Sequence, residues 1–172
     1  MKNKGLFGFS TLEIMIYLAM TTVVISSTSF LLIQFVRIQI RMQVITQVEE
    51  QGWQIMHLIT QNLRNADSVN ATPAGGQTPS LTLDMADSAL DPMSFHISGG
   101  TFRIKEGGGS PIPLSTANVL PSNLSFRNLA EDNDTPGVVQ VSFTLTYNNT
   151  SGRPEYNYSK TFYGSAAVRK VF

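Results

Sequence analysis

The chain contains no cysteine. Disulfides and thiolate metal sites are therefore excluded, while export to an oxidising compartment remains open. Charge is scarce as well: Asp, Glu, Lys and Arg make up 14% of 172 residues, twelve acidic against twelve basic. That balance offers no basic excess to recommend nucleic acid as the main partner. Neither glycine nor proline occurs from Phe9 to Gln51, so no strong helix breaker interrupts that stretch. Catalytic signatures are missing too. His57 and His96 stand outside any His-Glu-x-x-His pattern, and isolated histidines are far more often packed or solvated than catalytic. Gly107-Gly108-Gly109-Ser110 lacks the Gly-Lys-Ser/Thr of a P-loop, and no Gly-x-Ser-x-Gly elbow occurs.

What is present is concentrated at the start. Met1 to Gly8 carries Lys2 and Lys4, then Phe9-Ser10-Thr11-Leu12-Glu13 opens an apolar run that lasts to Val36. Glu13 is the one charge between Phe9 and Val36. The uncharged stretch Ile14 to Val36 would form a helix roughly 34 Å long, enough to cross a hydrocarbon core of about 30 Å. Thr21, Thr22 and Ser26 to Ser29 dilute its hydrophobicity, but hydroxyls that bond back to their own helix are tolerated in lipid. Length and hydropathy alone read equally well as a plain signal anchor. An ordinary cleaved secretory signal fits poorly, because its apolar region is short and the cut follows it. A lone carboxylate within such a segment is a functional candidate by default.

The stretch Gly8-Phe9-Ser10-Thr11-Leu12-Glu13 before an apolar helix resembles the class III signal of type IV prepilins and type II secretion pseudopilins. The resemblance implies cleavage by a prepilin peptidase after Gly8 and N-methylation of the new terminus, Phe9. Glu13 becomes the fifth mature residue, facing the free amine of Phe9 on a neighbouring subunit. In low dielectric such a pair would fix axial register more surely than it adds affinity, since desolvation offsets much of the attraction. Ser10-x-x-Glu13 is also a capping-box pattern, and an acid in the first turn suits the helix dipole. Many major pilins carry Gly and Pro in mid-helix; this chain does not, and two readings account equally well for that: Ser26 to Ser29 as a substitute weak point, or the packing of a minor subunit at a filament tip.

From Ile38 onward, Met42, Ile45, Val48, Ile55, Ile59, Leu63 and Ala66 mark one helical face, with Arg41, Gln47, Glu50, Gln54 and Gln61 opposite. Gly52 interrupts it at about 1 kcal/mol relative to Ala, and Trp53 beside it is expected to pack closely on the head. The helix is expected to stop near Arg64 to Asp67, before a loop over Asn70 to Ser80. Strands follow at Leu81–Met85, at Met93–Ser98 and Thr101–Glu106 around the hairpin signal Gly99-Gly100, at Leu120–Leu129, Val138–Tyr147 and Tyr156–Tyr163, with Ala166–Val171 closing the sheet. The expected fold class is α+β: a long N-terminal membrane-spanning helix packed on one antiparallel sheet. The expected divisions are a leader at 1–8, a transmembrane and filament-core helix at 9–36, its amphipathic continuation at 37–69 and a β-rich head at 70–172.

No cofactor is expected. The acidic loop Glu131-Asp132-Asn133-Asp134 offers oxygens that suit Ca²⁺, so Asp132 and Asp134 are its candidate ligands, but EF-hand spacing fails and turn chemistry accounts for the residues unaided. Arg153, Lys160, Arg169 and Lys170 form a modest basic group, read as solvated surface. The resemblance implies a non-enzymatic minor pilin or pseudopilin, most like the J-type minor pseudopilins, priming filament assembly at a tip. Its implied partners are other pilin subunits through the N-terminal helix, the prepilin peptidase, the inner-membrane assembly platform and, before assembly, the lipid bilayer. Its implied location is the inner membrane, as a single-pass protein with an extracytoplasmic head. The competing class is a membrane-anchored surface binding module, an adhesin or DNA-uptake receptor, that never polymerises.

Overall fold

The structure is a computed structural model and describes residues 10–70, 75–129 and 137–168. It divides into two compact units, Met1–Ile40 and Arg41–Phe172, and one helix, α1 (Thr11–Asn65), runs through the division. Of the first unit, residues 11–40 belong to this helix. The Ser10 carbonyl accepts the N–H groups of Glu13 and Ile14 at 3.0 and 3.2 Å and opens its first turn. The helix passes through Ser26 to Ser29 without interruption. By length and composition it is long and apolar enough to cross a membrane.

In the second unit α1 becomes amphipathic. Val44, Val48, Gly52, Ile55, Met56, Ile59 and Leu63 are buried, at steps of three, four and one that keep to one side. Among the described residues nine strands follow: β1 (Ala66–Val69), β2 (Gln77–Thr78), β3 (Leu81–Met85), β4 (Met93–Ser98), β5 (Thr101–Glu106), β6 (Ile112–Pro113), β7 (Val119–Asn128), β8 (Val138–Tyr147) and β9 (Ser159–Ala167). They form two antiparallel sheets, ordered β1-β3-β4-β5-β6 and β2-β7-β8-β9. β8 shows the clearest alternation: Val139, Val141, Phe143 and Leu145 are buried and their neighbours are not. Gly99 and Gly100 both adopt positive φ, 61° and 70°, as a two-residue hairpin turn between β4 and β5 requires.

One apolar core joins the helix to both sheets. Within it the rings of Phe102 on β5, Phe143 on β8 and Phe162 on β9 follow one another at 5.5 Å between centroids, and Trp53 of α1 meets Phe162 edge-on at 5.8 Å. Helix and strand also exchange a large side chain for a glycine twice. A Cβ on Gly52 would fall inside the Phe162 ring, and a Cβ on Gly164 would fall against Met56 Sδ. The glycine that interrupts the helix pattern is thus the seat of a strand aromatic.

The α+β class stands, and several details differ from the sequence reading. The strands make two sheets, because sheet membership follows long-range pairing and not local texture. The helix ends at Asn65, and residues 66–69 form β1 because β3 offers them a partner. β2 lies inside the expected loop. Met42 is 59% exposed and Ile45 half-buried; Val44 takes the buried position at the end of the stripe. β9 begins at Ser159, after a 3-10 turn at Pro154–Tyr156, and runs unbroken through Ala166 and Ala167, so no separate closing strand starts there. Trp53 is 57% exposed and not enclosed.

Candidate functional site

The N-terminal half of α1 is built mostly of apolar side chains that are exposed in the described structure. From Ile14 to Val36 every residue except Gln34 is exposed. The hydroxyls bond inward along the helix: Thr21 Oγ1 donates to the Tyr17 carbonyl at 2.7 Å, Thr22 Oγ1 to Leu18 at 2.7 Å and Thr28 Oγ1 to Val24 at 2.8 Å. Each of these three threonine hydroxyls thus has an acceptor one turn back, a pairing compatible with a non-aqueous surrounding. Glu13 lies in the first turn, and its Oε1 accepts the hydroxyl of Tyr17 at 3.3 Å. Sequence reasoning missed Tyr17. Its i, i+4 spacing from Glu13 was the available signal.

Higher on the same helix, a polar clasp fastens α1 to β9. Glu49 Oε1 accepts from Lys160 Nζ at 2.8 Å and from the Tyr158 hydroxyl at 3.0 Å. The bond from Lys160, with that from Tyr158 adding to it, holds the Glu49 carboxyl below its ordinary range. The same bond raises Lys160. Burial, then the adjacent carboxylate, raises Tyr158. Lys160 also lies over the Phe162 ring, 5.5 Å from its centroid. On another side of α1 the Gln51 amide donates to Thr116 Oγ1 at 2.9 Å and accepts the Thr116 N–H at 3.0 Å, tying the segment before β7 to the helix. Nothing local in the sequence announced this bond, which joins residues 65 positions apart. Beside the clasp, Ile45, Thr46, Glu49, Glu50, Trp53 and Gln54 line an open groove.

The remaining sequence candidates are not gathered together. His57 is exposed on α1 and His96 lies half-buried on β4, opposite Arg103. Gly8, Phe9, Asp132, Asp134, Arg169 and Lys170 lie outside the described residues. Among the described residues no group of three or more His, Cys, Asp or Glu side chains is placed to hold a metal ion.

Comparisons with protein-family models, with curated proteins and with solved structures found no match. What the architecture supplies is a long apolar N-terminal helix, able by length to anchor the chain in a membrane, and a head of antiparallel sheets, a layout compatible with that of pilins.

Proposed function

We propose that the chain is a minor pilin or pseudopilin: a structural and assembly subunit of a type IV pilus or type II secretion filament, cleaved between Gly8 and Phe9 and methylated on Phe9. One observation carries the reading. An apolar helix with exposed sides begins directly behind a Gly-Phe junction, and its one charge before Arg37 is a carboxylate, Glu13, in its first turn. Before assembly, lipid covers those side chains. In the filament, the helices of other subunits replace it, and Glu13 meets the terminal amine of a neighbour. Tyr17 keeps the Glu13 carboxylate aimed while it waits. The subunit performs no chemistry; the head's loops meet other subunits, and priming at a filament tip fits a chain whose helix lacks the mid-span Gly and Pro.

The test is mass spectrometry of the mature protein together with Glu13→Ala. The expected result is a chain beginning at methylated Phe9, with the variant cleaved normally and absent from sheared filaments. A mature chain that retains residues 1–8 would overturn the reading. Normal incorporation of Glu13→Ala would remove the pairing role alone. Crosslinks from the Phe9 to Val36 segment to other pilin helices favour the filament, whereas crosslinks to lipid alone favour a non-polymerising anchored binding module.

A further inference from the structure

The two sheets present very different outer faces. On the four-stranded sheet that face is mostly hydroxyl and amide, with Arg127 as the charge on β7 to β9, and its hydroxyls answer one another: Thr144 with Thr161 and Thr146 with Ser159, each at 2.9 Å. The five-stranded sheet departs from that pattern on β4 and β5. Phe95, Phe102 and Ile104 face the core, so Ser94, His96, Arg103 and Lys105 share the outer side. Register sets His96 directly opposite Arg103 and Ser94 directly opposite Lys105. Thr82 of β3 lies beyond Ser94, and Pro113 of β6 beyond Arg103. With strands about 4.8 Å apart and same-face residues about 7 Å apart along each strand, these groups occupy one compact patch.

The patch lacks an anion. His96, Arg103 and Lys105 are each half-buried, and Arg103 Nε is buried without a hydrogen-bond partner. Among the described residues neither Arg103 nor Lys105 forms a salt bridge. The acid on the outer side of β3, Asp84, accepts bonds from Ser68 Oγ and Asn70 Nδ2. Glu106 follows Lys105 but pairs with Met93, whose side chain faces the core. Arg103 and Lys105 thus bring two cations to one face with no carboxylate partner among the described residues. A tetrahedral oxyanion would supply the missing charge. It can take two parallel bonds from a guanidinium fork, a third from an ammonium and others from hydroxyls.

We propose that the outer face of β4 and β5 is a phosphate-binding site, with Arg103 and Lys105 as its cations, Ser94 as a hydroxyl donor and His96 at its margin. The ligand is a phosphate ester, carried either by a small soluble molecule or by a lipid headgroup. The site does not depend on the filament role and is tested separately from it. The chain has two histidines, and His57 on α1 serves as an internal control. The full chain in neutral detergent is titrated with glycerol phosphate against chloride at matched ionic strength while both imidazole signals are followed by NMR. In a second arm, phosphatidylglycerol bicelles are compared with phosphatidylcholine bicelles.

The expected result is a saturable shift of His96 in the millimolar range and none of His57. Arg103→Gln and Arg103→Lys should each weaken it at least about tenfold, the second because it keeps the charge and loses the fork. Saturation with glycerol phosphate identifies a soluble ester, and a response confined to phosphatidylglycerol identifies a headgroup; either supports the site. A non-saturating response in both arms, equal movement of both histidines, or a response unchanged in a folded Arg103→Lys variant overturns it. A shift of His96 on addition of duplex DNA, with none from either phosphate probe, also overturns it in favour of a nucleic-acid surface.

Discussion

Along residues 14–36 of α1 every side chain except Gln34 faces outward, while along residues 44–63 every third or fourth is sealed against two sheets. The first stretch is the more hydrophobic, yet the second contributes to the folded core. Burial in this protein follows the spacing of apolar residues and not their density. A stretch apolar on all sides has no preferred face to give to a sheet, whereas a stripe does. The upper segment is further specified by the two exchanges with β9, Phe162 over Gly52 and Met56 over Gly164, which set the depth at which helix and strand meet.

The contrast is most directly broken by truncating a ring on each side of it. Phe162→Ala removes the ring seated on Gly52 and should cost about 3–5 kcal/mol of head stability. Phe35→Ala, in the exposed half, should stay within about 0.5 kcal/mol of the parent. Urea unfolding of the full chain in mild detergent, read by circular dichroism, compares the two; equal losses would erase the distinction. Gly52→Leu, which drives a side chain into the Phe162 ring, should cost about 1–3 kcal/mol. Combined with Phe162→Ala it should cost less than the two separately, because the pair shares one space. Trp53→Ala loses an edge-on ring contact and should fall near about 0.5–1.5 kcal/mol.

The clasp of Glu49, Lys160 and Tyr158 has the smallest expected effect and the most specific pH signature. Glu49 is lowered on folding, so its contribution is present above its unfolded value and lost as pH falls through the lower folded one. Lys160 and Tyr158 are raised, so theirs are present below their unfolded values and lost as pH rises through the folded ones. The stability difference between parent and Glu49→Gln should therefore be widest near neutrality and close at both the acid and alkaline ends. A difference that is flat across pH would mean that Glu49 acts through packing and not through charge.

Much of this architecture was legible where one residue's neighbours in sequence decide its place. The alternation of Val139, Val141, Phe143 and Leu145 announced β8, and Gly99-Gly100 announced the β4–β5 hairpin. The reading failed where a distant partner decides. Ala66 to Val69 has no strand signature of its own and becomes β1 through pairing with β3. Tyr163 was read as the end of one strand and Ala166 as the start of another, yet β9 runs through both because β8 pairs with it from Ser159 to Ala167. Met42 and Ile45 had the right spacing, but the buried stripe ends at Val44. For the candidate site, the proposed signal around Gly8, Phe9 and Glu13 could be read as a motif because its residues are contiguous in sequence, and of the three only Glu13 lies among the described residues. The clasp and the Gln51–Thr116 bond could not be read, since each joins residues far apart along the chain.

The edge-on placement of Trp53 against Phe162 has a practical consequence. It is the chain's sole tryptophan, and with no cysteine in the sequence any single thiol introduced for a quencher or dye is unique. Its emission therefore reports, without background, whether the upper part of α1 is seated on β9. Recorded in detergent and again in bilayers, that signal would show whether the helix stays seated on β9 in each surrounding.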